Sequence, residues 1–115
     1  MDDPYRGTPQ GSCPRCLAPL FGDVDRLECP RGCGELLTKH LIERHLTNAE
    51  LEACEPDVGS LIGRPFPPAT CPTCMRTMTV RIKHRVIFDY CLEDGIWLDH
   101  GELPRFEAAF DLWRR

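Results

Sequence analysis

Residues 71–95 read CPTCMRTMTVRIKHRVIFDYCLEDG, and residues 13–34 read CPRCLAPLFGDVDRLECPRGCG. Each stretch opens with a Cys-Pro-x-Cys tetrapeptide and ends with a second pair of potential metal ligands followed by glycine. Two residues between cysteines is the spacing that presents two thiolates to one tetrahedral ion. The two stretches therefore predict two metal sites, in units whose starts lie 58 residues apart (71 minus 13).

The eight cysteines of this 115-residue chain require either metal ions or disulfide bonds. The opening sequence Met1-Asp2-Asp3-Pro4 has neither the basic start nor the apolar stretch of a secretory signal. No apolar run approaches the roughly 20 residues that a membrane span needs. Because cytoplasmic cysteines stay reduced and serve metals or catalysis, we predict a cytoplasmic protein that binds two zinc ions per chain and does not enter a membrane.

Charge and length exclude several classes of function. The net charge is −4, with six basic against ten acidic residues in 1–56 and eight of each in 57–115. A broad cationic footprint, which non-specific nucleic-acid binding needs, is therefore missing. The length leaves room for one ordinary domain or two very small ones, and excludes a large α/β enzyme core.

A family resemblance extends from Cys71 to about Phe110. Here the chain resembles the transcription-factor-IIB-type zinc ribbons of small bacterial proteins, through Cys71-Pro72-Thr73-Cys74, the segment 90–95, and the specific run 97–103, which reads WLDHGEL. Residues 13–46 resemble the same family more weakly, through their cysteines and Gly34-Glu35-Leu36. The resemblance implies a zinc-binding module with a transcription-related role.

We therefore expect a small metal-stabilised α+β fold with two zinc-ribbon units. Each unit is a β-hairpin with zinc knuckles, followed by helix. The predicted organisation is a loose tail at 1–12, an N-terminal ribbon plus helices at 13–56, a proline-rich linker at 57–70, and a C-terminal ribbon plus amphipathic helix at 71–115. Units this small need metal for stability.

Local patterns predict the elements in more detail. The alternation between Thr77 and Tyr90 indicates a hairpin, with Val80, Ile82, Val86, Phe88 and Tyr90 on the apolar face and Arg81 and Lys83 on the opposite face. Helices are expected at Glu35–Leu46 and after two capping boxes. The boxes are Thr47-x-x-Glu50 and Asp99-x-x-Glu102.

The first metal site is predicted to consist of Cys13, Cys16, Cys29 and Cys33. Four protein ligands leave no open position, so a structural role is favoured over catalysis.

The second site is predicted to use Cys71, Cys74 and Cys91, with Asp94 where the family pattern has its fourth cysteine. Asp94 is favoured because it alone occupies the knuckle position, and zinc accepts carboxylate oxygen. Cys54, His100 or His84 could complete the set instead, and an incomplete site is a further alternative.

No catalytic residues are predicted. His100-Gly101-Glu102 resembles the His-x-Glu of zinc deaminases, but in those enzymes this motif precedes Pro-Cys-x-x-Cys, whereas here it follows the cysteine pair. Each Cys-x-x-Cys opens a hairpin, which is unlike the helix N-terminus that thioredoxin-like chemistry requires. We therefore expect a protein that is not an enzyme and has no small-molecule substrate.

The expected role is that of a protein-interaction module, and the resemblance implies transcription regulation as its setting. The first alternative is nucleic-acid binding through the basic hairpin, by Arg76, Arg81, Lys83 and Arg85. The second alternative is metal or redox sensing through a labile second zinc site.

Overall fold

The computed structural model describes residues 11–52, 54–56, 67–83 and 85–110. Most of the predicted tail and linker, together with His84, lie outside the described residues. The elements in chain order are β1 (Phe21–Gly22), β2 (Arg26–Glu28), β3 (Gly34–Thr38), α1 (Lys39–Ile42), α2 (Asn48–Glu52), β4 (Glu55–Pro56), β5 (Thr79–Lys83), β6 (Val86–Cys91), β7 (Gly95–Asp99) and α3 (Leu103–Phe110).

The seven strands of the described residues form one antiparallel sheet in the order β1-β2-β3-β7-β6-β5-β4. Strands β1, β2 and β3 come from the first cysteine unit, and β5, β6 and β7 come from the second. The two sets join where β3 pairs with β7 over five residues. The two predicted units are therefore continuous through main-chain hydrogen bonds.

The β3–β7 pair relates the two halves by an approximate two-fold rotation. Gly34 pairs with Asp99 and Gly95 pairs with Thr38, so each strand begins opposite the end of its partner. Leu36 and Trp97, each the third residue of its strand, pair at the centre. Antiparallel pairing of corresponding residues places the rotation axis between these two positions.

The sheet separates two buried clusters. On one face, the three helices cover side chains from β3, β6 and β7, including Leu37, Phe88 and Ile96. On the opposite face, Leu36 and Trp97 lie in one cluster with cysteines from both units. Alternate residues of β3 and β7 thus face the helices and the candidate metal sites, as the two-residue period of a strand requires.

The helix expected at Glu35–Leu46 is partly wrong. Residues 34–38 form the central strand β3, and helix α1 is limited to Lys39–Ile42, with the Thr38 side chain accepting from the Leu41 N–H. Pairing with β7 supplies five residues of strand contact that a local helical pattern does not reveal. Tertiary pairing therefore overrides the local preference.

The two predicted capping boxes behave differently. Thr47 and Glu50 exchange the reciprocal hydrogen bonds of a capping box, at 3.1 and 3.3 Å, directly before α2. Asp99 instead lies in β7 and its carboxylate accepts from Arg15 and Trp97. The second box is therefore wrong, because Asp99 is engaged in tertiary contacts.

The predicted hairpin is present as β5 and β6, but its assignment of faces is wrong. Arg81 pairs with Phe88 and Lys83 with Val86, so these cations share a face with the apolar residues of β6. Lys83 pairs with Val86 across two intervening residues, so even-numbered positions of β5 oppose odd-numbered positions of β6. The prediction from the sequence placed the even-numbered residues of both strands on one face.

Within the described parts of the chain, no helix is long and apolar enough to cross a membrane. The longest helix that the structure describes there, α3, has eight residues.

Candidate metal centres

The first Cys-Pro-x-Cys segment forms a tight turn that brings its two cysteines together. The Cys13 N–H donates to the Ala18 carbonyl at 2.7 Å, and the Leu17 N–H donates to the Cys13 carbonyl at 2.9 Å. Leu17 closes the turn with a φ of 66°. The isolated bridge between Ser12 and Pro19 fixes the base of the turn.

The second Cys-Pro-x-Cys segment repeats this geometry. The Cys71 N–H donates to the Arg76 carbonyl at 2.8 Å, and the Met75 N–H donates to the Cys71 carbonyl at 3.0 Å. Met75 also has a φ of 66°, and Thr70 bridges Thr77. Similar local sequences thus present two sulfurs in the same way in both halves.

The first cluster assembles when the loop after β2 approaches this turn. The ligand atoms of Cys13, Cys16, Cys29 and Cys33 all lie within 4.8 Å of one another. The Cys16 and Cys29 sulfurs are 3.5 Å apart. Backbone N–H groups of Arg15 and Arg31 donate to the Cys13 and Cys29 sulfurs at 3.3 and 3.4 Å. Such donors stabilise thiolate charge, which a metal-binding cysteine must carry.

Proton affinities within the first cluster differ. Burial raises the pKa of Cys33 to about 12, assisted by hydrogen bonds with the Cys16 and Cys29 thiols. Burial also pushes the pKa of Cys29 upward, but backbone N–H groups of Cys33 and Arg31 and the neighbouring thiols lower it to about 7. Without metal, the Cys29 thiol therefore ionises more readily than the Cys33 thiol, and metal binding must displace the proton of Cys33.

The second cluster joins Cys71, Cys74, Cys91 and Asp94, again with all ligand atoms within 4.8 Å. The Cys71 and Cys91 thiols donate to Asp94 Oδ2 at 3.3 and 3.5 Å, and the Cys74 and Cys91 sulfurs are 3.7 Å apart. Burial raises the pKa of Cys71 to about 12. The Asp94 carboxylate thus lies with the three cysteines as the fourth group that could bind one ion.

The alternative fourth ligands lie elsewhere. Cys54 is buried in the cluster beneath the helices, and its thiol donates to the Glu50 carbonyl at 3.4 Å. His100 is exposed, and its backbone N–H donates to the Cys33 carbonyl at 2.9 Å, which places it beside the first cluster. Neither belongs to the group that contains Asp94. His84 lies outside the described residues.

An arginine network, which sequence reasoning missed, connects the two halves beside the clusters. Arg15 donates from Nε and Nη2 to the two carboxylate oxygens of Asp99, at 2.8 and 3.1 Å. Its Nη1 donates to the Pro67 carbonyl at 2.7 Å, and its Nη2 lies 3.8 Å from Asp89 Oδ1. The Arg15 and Asp89 side chains are only 7% and 0% exposed.

The same network reaches the centre of the sheet. Trp97 donates from Nε1 to Asp99 Oδ1 at 3.0 Å, and Asp89 accepts the Ala69 N–H at 2.7 Å. The sequence contained one signal of this network, because Asp89 and Asp99 are acidic residues inside apolar strands. Their shared partner Arg15, however, lies 84 positions before Asp99. Only the β3–β7 pairing brings that partner into reach.

The four basic residues proposed for nucleic-acid contact do not share one surface. Lys83 Nζ lies 5.2 Å from the centre of the Phe110 ring, and Arg81 donates to the Cys54 carbonyl at 3.4 Å. Arg76 is exposed and lies 3.5 Å from Glu93, while Arg85 is exposed at the end of the hairpin with a φ of 67°. Nucleic-acid binding by this hairpin stays a prediction.

The donor sets suit zinc. Zinc forms tetrahedral sites with thiolate sulfur and accepts carboxylate oxygen, and closed sets of four protein ligands are typical of structural sites. One cluster offers four sulfurs and the other offers three sulfurs and a carboxylate, each within the span that one ion bridges. Both clusters could therefore hold zinc.

Residues 70–109 match the family model described as transcription factor zinc-finger, of the zinc-ribbon transcription-factor-IIB type. This finding confirms the resemblance predicted from Cys71 to about Phe110 and supports zinc as the metal. The matched segment excludes the first cysteine unit, so the weaker duplicate at 13–46 stays a prediction. Comparisons with curated proteins and with solved structures gave no match.

Proposed function

Starting from the zinc-ribbon match of residues 70–109, we propose that this chain is a non-enzymatic zinc-binding module that binds a protein partner, in a setting related to transcription. The observation that carries the proposal is that two clusters of four potential ligands lie in halves of the chain that share one seven-stranded sheet. Metal ions at both clusters would fix the turns against the sheet, because closing such a site contributes folding free energy. A rigid surface of this kind suits recognition.

The ligand count supports a role without catalysis. A catalytic zinc site keeps a coordination position for water or substrate, whereas structural sites use four protein ligands. Each cluster brings four ligand atoms within 4.8 Å of one another.

Two exposed apolar residues support binding to a protein. Leu17 and Met75 hold corresponding positions in the two turns, and they are 77% and 67% exposed. Both have a φ of 66°, a conformation that costs a residue with a Cβ roughly 1–2 kcal/mol. Retaining a large apolar side chain at a strained, exposed position is consistent with a partner contact.

Charge favours a protein over a nucleic acid as partner. The chain has a net charge of −4, and four thiolates around one zinc ion add a further −2. Arg81 and Lys83 point toward the face that α3 covers, since they share it with Phe88 and Val86. A continuous cationic track for phosphates is therefore not formed by these two residues.

Metal sensing is the second candidate, and one observation favours it. Asp94 supplies a carboxylate where the first cluster has a cysteine. Soft thiolates suit zinc better than a hard carboxylate does. We therefore expect the second cluster to release zinc before the first, which would leave the first unit folded while the second loosens.

The test of the proposed function is zinc-dependent crosslinking to a partner. A photoreactive amino acid replaces Met75 in one variant, and Ala108, exposed on α3, in the control variant. We expect a protein crosslink from position 75 that is lost on chelation, and a purified partner that binds wild type more tightly than Met75→Asp. Crosslinks to nucleic acid alone would contradict the proposal.

A further inference from the structure

The two-fold relation allows each side chain near the sheet centre to be compared with its counterpart. Alignment of the cysteines and of Gly34 with Gly95 gives the correspondence. Arg15 corresponds to Thr73, Trp97 to Leu36, Asp99 to Thr38, and Asp89 to Leu27. On one side of the axis, the first member of each pair belongs to the buried network described above, which consists of Arg15, Trp97, Asp99 and Asp89. Their counterparts are smaller or apolar.

On the other side of the axis, the space that the network would fill is a cavity of about 500 Å³. All four counterpart residues, Thr73, Leu36, Thr38 and Leu27, line it. The smaller side chains explain the cavity, because threonine replaces arginine and leucine replaces tryptophan. The volume falls within the roughly 300–1,000 Å³ of typical ligand pockets.

The floor of the cavity is apolar. Leu27 and Leu36 are 6% and 1% exposed, and Pro72 forms part of the wall. A bulky apolar side chain inserted there would gain free energy by leaving water, at roughly 1.5–3 kcal/mol for full burial. The described residues of this floor offer no cation to a phosphate or a carboxylate.

The rim of the cavity is predominantly acidic. Asp23, Glu93 and Asp94 line it, against Lys39 and His40. Lys39 lies 3.6 Å from Glu43 and Glu93 lies 3.5 Å from Arg76, so each of these two rim charges is offset by a neighbour. With zinc bound to three thiolates and to Asp94 itself, the second cluster carries a net −2 beside the cavity, a total that already includes the Asp94 charge. The potential at the rim therefore favours cationic neighbours of the inserted group.

We propose that this cavity, which we name the Leu36 pocket, binds a bulky apolar side chain of a protein partner flanked by lysine or arginine. The inference rests on the proposed function and specifies where the partner binds and what it must contain. An apolar anchor in a pocket with a complementary charged rim is the usual arrangement of an energetic centre in a protein interface.

The probe is the capped tripeptide acetyl-Lys-Phe-Lys-amide, titrated into ¹⁵N-labelled, zinc-loaded protein and followed by two-dimensional NMR. We expect saturable shifts centred on the amides of Thr38, Lys39 and Thr73. Replacing phenylalanine by glycine, or both lysines by glutamates, should weaken binding at least tenfold. Equal binding of any of these peptides, or shifts centred elsewhere, would overturn the proposal.

Two variants fill the pocket from within. Thr73→Arg places the counterpart side chain of Arg15 at an exposed position, so the fold should tolerate it. Leu36→Trp adds the counterpart indole. An added Cβ on Gly34 would meet the Trp97 ring at 2.8 Å, and Gly95 holds the position that corresponds to Gly34. Each should reduce peptide affinity at least tenfold. Thr77→Arg, exposed in the same unit and outside the pocket lining, is the matched control and should bind as wild type does.

The same variants separate this inference from the proposed function. One outcome is that crosslinking identifies a protein partner that binds wild type and Thr73→Arg equally. This result would show that the pocket is not the binding site, but it would still support the protein-interaction role. A partner whose affinity falls only in the two pocket-filling variants would support both.

Discussion

Leu36 and Trp97 pair across the two central strands, where the halves of the sheet meet. Their side chains are 1% and 0% exposed and lie in the buried cluster that contains cysteines of both candidate metal sites. Because the two residues hold corresponding positions, the halves are related by an approximate two-fold axis between them. The difference in size between the two side chains breaks that symmetry and contributes to the Leu36 pocket.

The central pairing depends on glycine at two corresponding positions. A Cβ on Gly34 would meet the Leu98 carbonyl oxygen at 2.2 Å and the Trp97 ring at 2.8 Å, and one on Gly95 would meet the Leu37 carbonyl oxygen at 2.0 Å. We expect Gly34→Ala and Gly95→Ala each to lower the free energy of unfolding by about 2–4 kcal/mol. Urea unfolding of the zinc-loaded protein measures this.

Gly32→Ala is the control for these two variants. Gly32 also has a positive φ, of 79°, but an added Cβ would meet nothing within 4 Å. Backbone strain alone should therefore lower the free energy of unfolding of Gly32→Ala, by roughly 1–2 kcal/mol. A loss in Gly32→Ala as large as that in Gly34→Ala would contradict the role given to close strand approach.

Arg15 is predicted to stabilise the junction of the halves. Arg15→Ala leaves the carboxylates of Asp89 and Asp99 buried without their cation, which typically costs 3–5 kcal/mol. Arg105→Ala removes an exposed pair with Glu102 and should change stability by less than about 1 kcal/mol. Equal losses in the two variants, measured by thermal and urea unfolding, would refute the prediction.

Asp94 is predicted to determine the stability of the second metal site. Asp94→Ala should lower zinc content from two ions per chain toward one, whereas Asp94→Cys should slow zinc release to a chelator because it adds a fourth thiolate. Cys54→Ser and His100→Ala should keep both ions, since neither residue lies in the second cluster. Loss of one ion in Cys54→Ser would show that Cys54, and not Asp94, is the fourth ligand of the second site.

Zinc binding is predicted to release protons, with a dependence on pH that follows from the cysteines. At pH 7 the thiols of Cys33 and Cys71, with pKa values of about 12, are protonated, and Cys29, with a pKa of about 7, is half ionised. As pH falls below 7, Cys29 also gains its proton, so zinc must displace more protons and its affinity decreases.

Calorimetry in buffers of different ionisation enthalpy measures this proton release. The observed binding enthalpy should vary with the buffer, and the number of protons released should rise between pH 8 and pH 6. An enthalpy independent of the buffer would show that the thiols are already ionised.

The grouping of the candidate ligands was predictable because their spacing is local. Cys-x-x-Cys fixes two sulfurs within one turn, and the hairpin between the pairs is short, so both clusters followed from the sequence. Asp94 followed from its position in the same spacing. The family match of residues 70–109 was predictable for the same reason, since its motif is continuous along the chain.

The long-range features were not predictable from these patterns. The pairing of Gly34 with Asp99 joins residues 65 positions apart (99 minus 34), and no local signal specifies it. That pairing converts residues 35–38 from predicted helix into strand and redirects Asp99 from a helix cap to Arg15. Likewise, the faces of Arg81 and Lys83 depend on the hairpin register, which a residue pattern alone does not set.

The most direct test of the account is the mass of the intact protein by native mass spectrometry. We expect two zinc ions per wild-type chain, with all eight cysteines reduced, and one ion in Cys29→Ser, which should also unfold the first unit. A wild-type chain that carries a single ion or none, or whose mass shows disulfide bonds in place of metal, would contradict it.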